Sequence, residues 1–176
     1  MADGPAKPVI FISYSHLDEP KIVGPEDVKW LSYVQSFLQP AAKHAAFELW
    51  TDEDIPGGAE WETRIKEKLA ACDICILLVS VHSLNSPYCI DVEIDTIKQR
   101  QARGHDVKIY PIILRPIPKA ALAPVRHLNL RPKDGAPLSG FPTKHLRDEA
   151  MSGIADEIAR MLGAQVRFTA DRKSVV

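Results

Sequence analysis

The chain has 176 residues, of which 45% are apolar and 26% are charged, so it is long enough for one domain with a single hydrophobic core. Its 22 basic and 23 acidic side chains nearly balance, which argues against intrinsic disorder and against direct binding to nucleic acid. Because it has no run of about 18 apolar residues and no signal peptide, we expect a cytoplasmic protein that does not bind a membrane.

Three cysteines, Cys72, Cys75 and Cys89, are too few and odd in number for a disulfide framework. Cys72 and Cys75 have CxxC spacing, but no second pair completes a zinc site, and they lead into a strand where a redox motif would open a helix. We interpret them as core residues. The histidines lack ligand-like spacing, so we predict no metal.

The first elements alternate between strand and helix. The apolar run Val9–Tyr14 predicts a buried strand. Residues 26–39 have apolar side chains at helical spacing behind a Pro-Glu-Asp start signal, which predicts an amphipathic helix. Residues 47–51 predict a second strand. Residues 52–60 contain Pro-Gly-Gly and therefore predict a loop.

The middle of the chain supplies the central strand. Residues 61–71 have Trp, Ile and Leu at four-residue spacing, which predicts a second helix. Residues 73–80 are apolar without alternation, which is typical of a strand at the centre of a parallel sheet. Residues 88–103 predict a third helix and residues 107–113 a fourth strand. Pro111 removes a hydrogen-bond donor and moves that strand toward the sheet edge.

The third helix carries three acids, and its start is predicted at Ser86-Pro87 and its end at Gly104. On a helical wheel the apolar side chains form one narrow stripe: Ile90, Ile94 and Ile97. Asp91 and Asp95 fall on the opposite side. Glu93 falls on the flank of the stripe, so it is either a boundary residue whose carboxylate reaches water or an acid that faces a cleft.

The rest of the chain is less regular. Six prolines between residues 114 and 143 leave at best one short strand near residues 126–130, and residues 144–162 predict a last helix. We expect a disordered N-terminus over residues 1–7 and one domain over residues 8–163. Residues 164–176 are predicted to be a linker or tail that leads to another domain of a longer protein.

Strands that alternate with helices predict right-handed crossovers and a doubly wound α/β sheet of about five parallel strands, with helices on both faces. In such a sheet ligands bind beyond the carboxyl ends of the strands. We therefore expect functional residues in the segments after the first three strands: residues 13–19, 51–60 and 80–88.

Three stretches resemble a bacterial Toll/interleukin-1 receptor (TIR) domain in order and spacing: "FISYSHLDE", "WTDEDIPGGAEWETRIKEKLAACDICILLVSVHSLNSPYCIDVEI" and "YPIILRP". The resemblance extends from Pro8 to about Leu162. It implies a flavodoxin-like fold, in agreement with the predicted elements. It also implies an NAD glycohydrolase that releases nicotinamide and a linear or cyclic ADP-ribose, with NAD as substrate rather than cofactor.

The resemblance also implies residue roles. The third-helix motif of Ser, aromatic, Cys and Glu corresponds to Ser86, Tyr88, Cys89 and Glu93. Many eukaryotic members have the acid three residues after the Cys, where Val92 stands here. We assign the catalytic role to Glu93 rather than Asp91, because only Glu93 faces the predicted cleft. The implied substrate-binding residues are Ser13, Tyr14, Trp50, Ile55, Gly58, Ser86, Tyr88 and Cys89.

Further expectations concern the loop and the partners. The loop that begins at Asp52 would close over the pocket and contact other TIR domains, and Tyr14 is alternatively a strand-end aromatic with its hydroxyl in water. A sensor domain or subunit would trigger self-association and signal transduction, and bacterial proteins of this kind commonly act in anti-phage defence.

Three rival functions share this winding. A non-catalytic TIR adaptor that only recruits other TIR domains remains the alternative. A phosphoacceptor receiver domain needs an acidic pair after the first strand and an Asp at the end of the third, where this chain has Ser13–Ser15 and Ser80. A flavin-binding flavodoxin would be coloured when purified.

Overall fold

The computed structural model describes residues 7–44, 47–52, 61–86 and 90–171, apart from the side chains of Trp61 and residues 164–171. Within these residues four parallel strands form one sheet in the order β2-β1-β3-β4. The strands are β1 (Val9–Ser13), β2 (Glu48–Thr51), β3 (Ile74–Val79) and β4 (Lys108–Ile113). This order confirms the flavodoxin-like winding, and the buried β3 lies inside the sheet as predicted.

Helices cover both faces of the sheet. They are α1 (Trp30–Lys43), α2 (Trp61–Ala71), α3 (Val81–Asn85), α4 (Asp91–Ala102) and α5 (Lys144–Asp171). Side chains of α1 and α5 share one core cluster with Ile10 and Ile12 of β1. Side chains of α2 and α4 share the other with Phe11. Successive strand residues point to opposite faces, so one strand contributes to both cores.

Half-buried charged side chains tie the amino end of the sheet together. Asp73, just before β3, accepts a hydrogen bond on Oδ2 from the Val9 amide at 2.7 Å. The guanidinium of Arg100 on α4 donates to the carbonyls of Leu69 and Cys72, at 2.7 Å in both cases. These carbonyls lie at the end of α2, where a helix lacks its own donors. Arg100 therefore fixes α4 against α2.

The cysteine interpretation is confirmed for the two cysteines that the structure describes. Cys72 and Cys75 are buried free thiols. Burial raises the pKa of the Cys72 thiol to about 11, so it stays protonated and unreactive at neutral pH. Cys89 lies outside the described residues.

The predicted start of the first helix was wrong. We expected the helix from residue 26, and α1 begins at Trp30. The amide of Gly24 donates to Oδ2 of Asp27 at 2.9 Å, which closes a local turn. A side chain that bonds nearby backbone in this way competes with helix formation, so the helix starts later.

The predicted strand near residues 126–130 does not form. In its place Arg131 makes one isolated parallel bridge with Ile112 of β4. The bridge does not extend because a 3-10 turn follows at Lys133–Gly135, with Asp134 at a φ of 68°. The Arg131 guanidinium instead binds the Glu157 carboxylate of α5, with Nη2 and Oε1 2.8 Å apart.

Helix α5 continues to Asp171, beyond the predicted end at Leu162. The role of the last residues as a linker stays a prediction. In the part of the chain that the structure describes, no helix combines the length and the apolar character needed to cross a membrane.

Candidate active site at the carboxyl ends of the strands

Glu93 lies in the first turn of α4, against the carboxyl end of β1. Its side chain is only 4% exposed, whereas Asp91 and Asp95 on the same helix are exposed. The apolar stripe that faces the sheet is buried as predicted: Ile90, Ile94 and Ile97. The helical wheel therefore separated the three acids correctly. A carboxylate that reaches water, the alternative for Glu93, is not what the structure shows.

The surroundings of Glu93 favour its neutral form. Burial raises the pKa of the carboxyl to about 8, and the negative charge of Asp52 acts in the same direction. A hydrogen bond with the Ser13 hydroxyl lowers the pKa but does not offset the burial. Oε2 of Glu93 is buried and has no hydrogen-bond partner within the described residues. Such an atom costs stability unless a ligand supplies a donor.

Asp52 directly follows β2 and is bound by His16, which follows β1. Nε2 of His16 and Oδ2 of Asp52 are 2.9 Å apart. The His16 side chain is 74% exposed and that of Asp52 is 11% exposed, so the pair has one wet and one nearly dry member. Oδ1 of Asp52 is buried, again without a hydrogen-bond partner among the described residues.

Ser13 and Tyr14 point to opposite faces of the sheet. Ser13 is on the face of α2 and α4, where it bonds Glu93. Tyr14 belongs to the core cluster of α1 and α5, is 4% exposed and stacks on the His16 ring at 5.3 Å between centroids. Ser13 therefore contacts Glu93 directly, whereas Tyr14 supports the His16 ring from the other face of the sheet.

A groove of about 760 Å³ lies on the α1 side of His16. Its lining residues are Tyr14, His16, Leu17, Glu19, Pro20, Lys21, Lys29 and Ser32. Two lysines give the groove an excess of positive charge over the single acid, Glu19. Because His16 also binds Asp52, the groove meets the Glu93 site at His16.

A second buried acid lies between β1 and β3. Oγ of Ser80, the residue after β3, donates to Oδ2 of Asp18 at 2.5 Å. Burial raises the pKa of Asp18, while the bond to Ser80 and the charges of His82 and Arg115 lower it. This pair ties the segment after β1 to the end of β3.

Residues 10–141 match the sequence model of a family described as TIR domain. That match covers well over half of the chain. The chain belongs to the TIR domain family. The recognition from sequence motifs is thereby confirmed.

This TIR domain also has a relative among curated proteins. Over 160 residues it is 32% identical to "Uncharacterized protein y4lF" of Sinorhizobium fredii (strain NBRC 101917 / NGR234). The match covers 91% of this chain and 45% of that protein, so the chain spans less than half the length of its relative. A bacterial origin agrees with this similarity.

The structure corrects the start of the helix that carries the family motif. Ser86 was predicted to begin that helix, but it terminates the separate helix α3 and donates its amide to the Ser83 carbonyl at 3.3 Å. Ser80 caps α3 instead, through reciprocal bonds with Ser83. A short helix, α3, therefore precedes α4 in a segment for which no helix was predicted, and α4 begins at Asp91.

The other predicted site residues are placed unevenly. Trp50 is half-buried on β2, level with Phe11, and Nζ of Lys68 lies 4.1 Å from its ring centroid. Ser86 is half-buried at the end of α3. Four further residues lie outside the described part of the chain: Ile55, Gly58, Tyr88 and Cys89. The roles assigned to these residues stay predictions.

The sequence motifs did not identify His16 and Asp52 as a pair. The available signal for Asp52 was its position directly after the predicted strand of residues 47–51, and the register of Trp50 with Phe11 then places Asp52 and Ser13 at the same end and face of the sheet. Nothing in the sequence indicated His16, because its contact depends on how the segment after β1 folds back.

Proposed function

We propose that this TIR domain is an NAD glycohydrolase that cleaves the bond between nicotinamide and ribose, with Glu93 as its catalytic residue. The observation that supports the proposal is a buried carboxyl at the carboxyl end of a doubly wound sheet, where ligands bind in such folds. The TIR family includes members with this activity.

The reaction needs one well-placed negative charge. Nicotinamide departs as a neutral pyridine, so the leaving group requires little help from a general acid. The barrier lies in the positive charge that develops on the ribosyl carbon. An ionised Glu93 held beside that carbon would stabilise the charge, or capture the carbon covalently as retaining glycosidases do.

The raised pKa of Glu93 fits this role when the substrate charge is included. In the free domain Glu93 is mostly protonated at neutral pH, because its pKa is about 8. NAD has a positively charged nicotinamide ring at the scissile bond, and a neighbouring cation favours the ionised carboxylate. Binding would therefore shift Glu93 toward the form that stabilises the transition state.

The groove next to His16 supports a dinucleotide substrate. Lys21 and Lys29 line it, and a diphosphate group would be attracted to their charge. The groove volume of about 760 Å³ is in the range of small-molecule sites. We propose that the diphosphate end of NAD occupies this groove while its nicotinamide riboside end reaches Glu93.

The proposal is tested by incubating concentrated protein with NAD and separating the products. Wild type should release nicotinamide, and Glu93→Gln should lose roughly a hundredfold or more in turnover, the loss typical of one electrostatic catalytic group. A known active TIR enzyme serves as the positive control. If wild type released no nicotinamide in any assembled form, the non-catalytic adaptor function would replace the enzymatic one.

A general feature of the family motivates a further proposal. TIR domains generally interact with other TIR domains, so we propose that self-association activates the enzyme. Specific activity should then rise with protein concentration, and an activity independent of concentration would contradict this.

We also propose a role in anti-phage defence. Wild type should lower phage plating efficiency in a bacterial host, and Glu93→Gln should not.

A further inference from the structure

We propose that Asp52 is a second ligand-binding carboxylate of this site, and that Asp52 and Glu93 together select a ligand with two neighbouring hydroxyl groups, as in a ribose. The inference rests on the proposed function, since NAD presents such a ribose. It assigns to Asp52 a role in specificity that Glu93 alone does not provide.

The first support is a matched pair of unsatisfied acceptors. Oδ1 of Asp52 and Oε2 of Glu93 are both buried, and neither accepts a hydrogen bond within the described residues. The carboxyl groups are otherwise engaged, Asp52 by His16 and Glu93 by Ser13. Each group is therefore held in place on one side and has no donor among the described residues on the other. Buried acceptors without donors are rare in folded proteins and call for an explanation.

The second support is position. β1 and β2 are neighbours, with Phe11 level with Trp50. Ser13 ends β1 and bonds Glu93, and Asp52 directly follows β2, so both carboxyls lie at one corner of the sheet. The negative charge of Asp52 acts on the carboxyl group of Glu93 and raises its pKa.

The third support is the charge of the surroundings. After β1, His16 binds Asp52, while Asp18 bonds Ser80 and feels His82 and Arg115. On α2, Lys68 lies over the Trp50 ring and Glu62 pairs with Lys66. Among the described residues, Asp52 is thus the charged group whose negative charge raises the pKa of Glu93.

Hydroxyl groups suit these two acceptors best. A hydroxyl donates a hydrogen bond to a carboxylate without bringing a net charge into a buried site, which would be costly. Two acceptors at one corner of the sheet can be matched by two donors that one ligand carries close together. Neighbouring secondary hydroxyls of a furanose ring provide this arrangement.

The test compares affinities for ADP-ribose and for two analogues in which one secondary hydroxyl of the terminal ribose is replaced by hydrogen. Calorimetric titrations would use wild type, Asp52→Asn and the exposed control Asp91→Asn. Asp52→Asn should weaken ADP-ribose binding about tenfold, because a hydrogen bond to a charged group is lost. For the analogue that lacks the hydroxyl bound by Asp52, wild type and Asp52→Asn should have equal affinities. The effects of removing two groups that interact with each other do not add. Asp91→Asn should bind all three ligands like wild type.

His16→Ala provides a second variant with little risk to the fold, because His16 is 74% exposed. It should weaken ADP-ribose binding about threefold, because Asp52 loses its anchor and the groove proposed for the diphosphate loses one lining side chain. Thermal melts would confirm that all variants fold. The inference is overturned if wild type does not bind ADP-ribose, if Asp52→Asn binds it like wild type, or if the losses from protein and ligand simply add.

Nicotinamide release, measured on the same samples, separates this inference from the proposed function. Binding in the predicted pattern without nicotinamide release would leave Asp52 as a ligand-binding residue and end the enzymatic proposal. Nicotinamide release, together with an unchanged affinity of Asp52→Asn for ADP-ribose, would support the enzymatic proposal and end the ligand-binding role of Asp52.

Discussion

The two ends of the sheet use their charged side chains differently. At the amino end, Asp73 and Arg100 bond backbone groups of β1 and of the end of α2, although Nε of Arg100 is buried without a hydrogen-bond partner among the described residues. At the carboxyl end, Asp52 and Glu93 each keep a buried oxygen without a donor among the described residues. Helix α4 belongs to both ends, because it carries Arg100 in its last turn and Glu93 in its first. The amino end stabilises the fold, and the carboxyl end gives up stability where we propose that ligand binds.

The largest stability effect that does not depend on pH is expected at the amino end. Arg100→Met should lower the free energy of unfolding by about 2 kcal/mol, because the carbonyls of Leu69 and Cys72 lose a charged donor. Urea denaturation would measure it. Lys98→Met, an exposed position on the same helix, is the matched control and should change stability by only a few tenths of a kcal/mol. Equal effects at both positions would remove the special role of Arg100.

The carboxyl end should respond to pH. In the proposed mechanism only ionised Glu93 is active, so kcat/KM should rise about tenfold per pH unit below its pKa of about 8 and level off above it. Steady-state assays of nicotinamide release at pH values below and above this pKa would measure the rise. A profile already flat at neutral pH would show that Glu93 is ionised in the free domain, against the burial described above.

The smallest effects on stability and turnover are expected on the solvent-exposed face of α4. Asp91 and Asp95 are exposed, so Asp91→Asn and Asp95→Asn should change the free energy of unfolding by a few tenths of a kcal/mol. Their turnover should stay within a few-fold of wild type. If Asp91→Asn abolished nicotinamide release, the catalytic acid would have to be reassigned to Asp91.

Periodicity predicted the parts of the molecule that depend on burial. The uninterrupted apolar run of β3 gave its central place, and the isoleucine stripe of α4 separated buried Glu93 from its two exposed neighbours. These features repeat along the chain, so one sequence contains them in full.

Features that depend on local competition or on distant contacts were not predictable in the same way. Ser86 was predicted to start the helix that carries Glu93, but it ends α3, which the capping box of Ser80 and Ser83 starts in a segment for which no helix was predicted. The pairing of His16 with Asp52 joins residues that are 36 positions apart. It needs the path of the backbone after β1, which composition and spacing do not provide.

The most direct test of the proposed trade between stability and function at Glu93 is the pH dependence of unfolding in wild type and Glu93→Gln. The pKa of Glu93 rises from 4.5 to about 8 on folding, so the native state binds the extra proton in this interval. Wild type should therefore lose stability relative to Glu93→Gln as the pH rises through it. Chemical denaturation at about pH 5 and about pH 9 should give nearly equal stabilities at the lower pH and an advantage for Glu93→Gln on the order of a few kcal/mol at the higher. Titrations of all other groups, Asp18 included, largely cancel in this difference. Two curves that run parallel over the whole interval would contradict the account, because Glu93 would then cost the fold nothing.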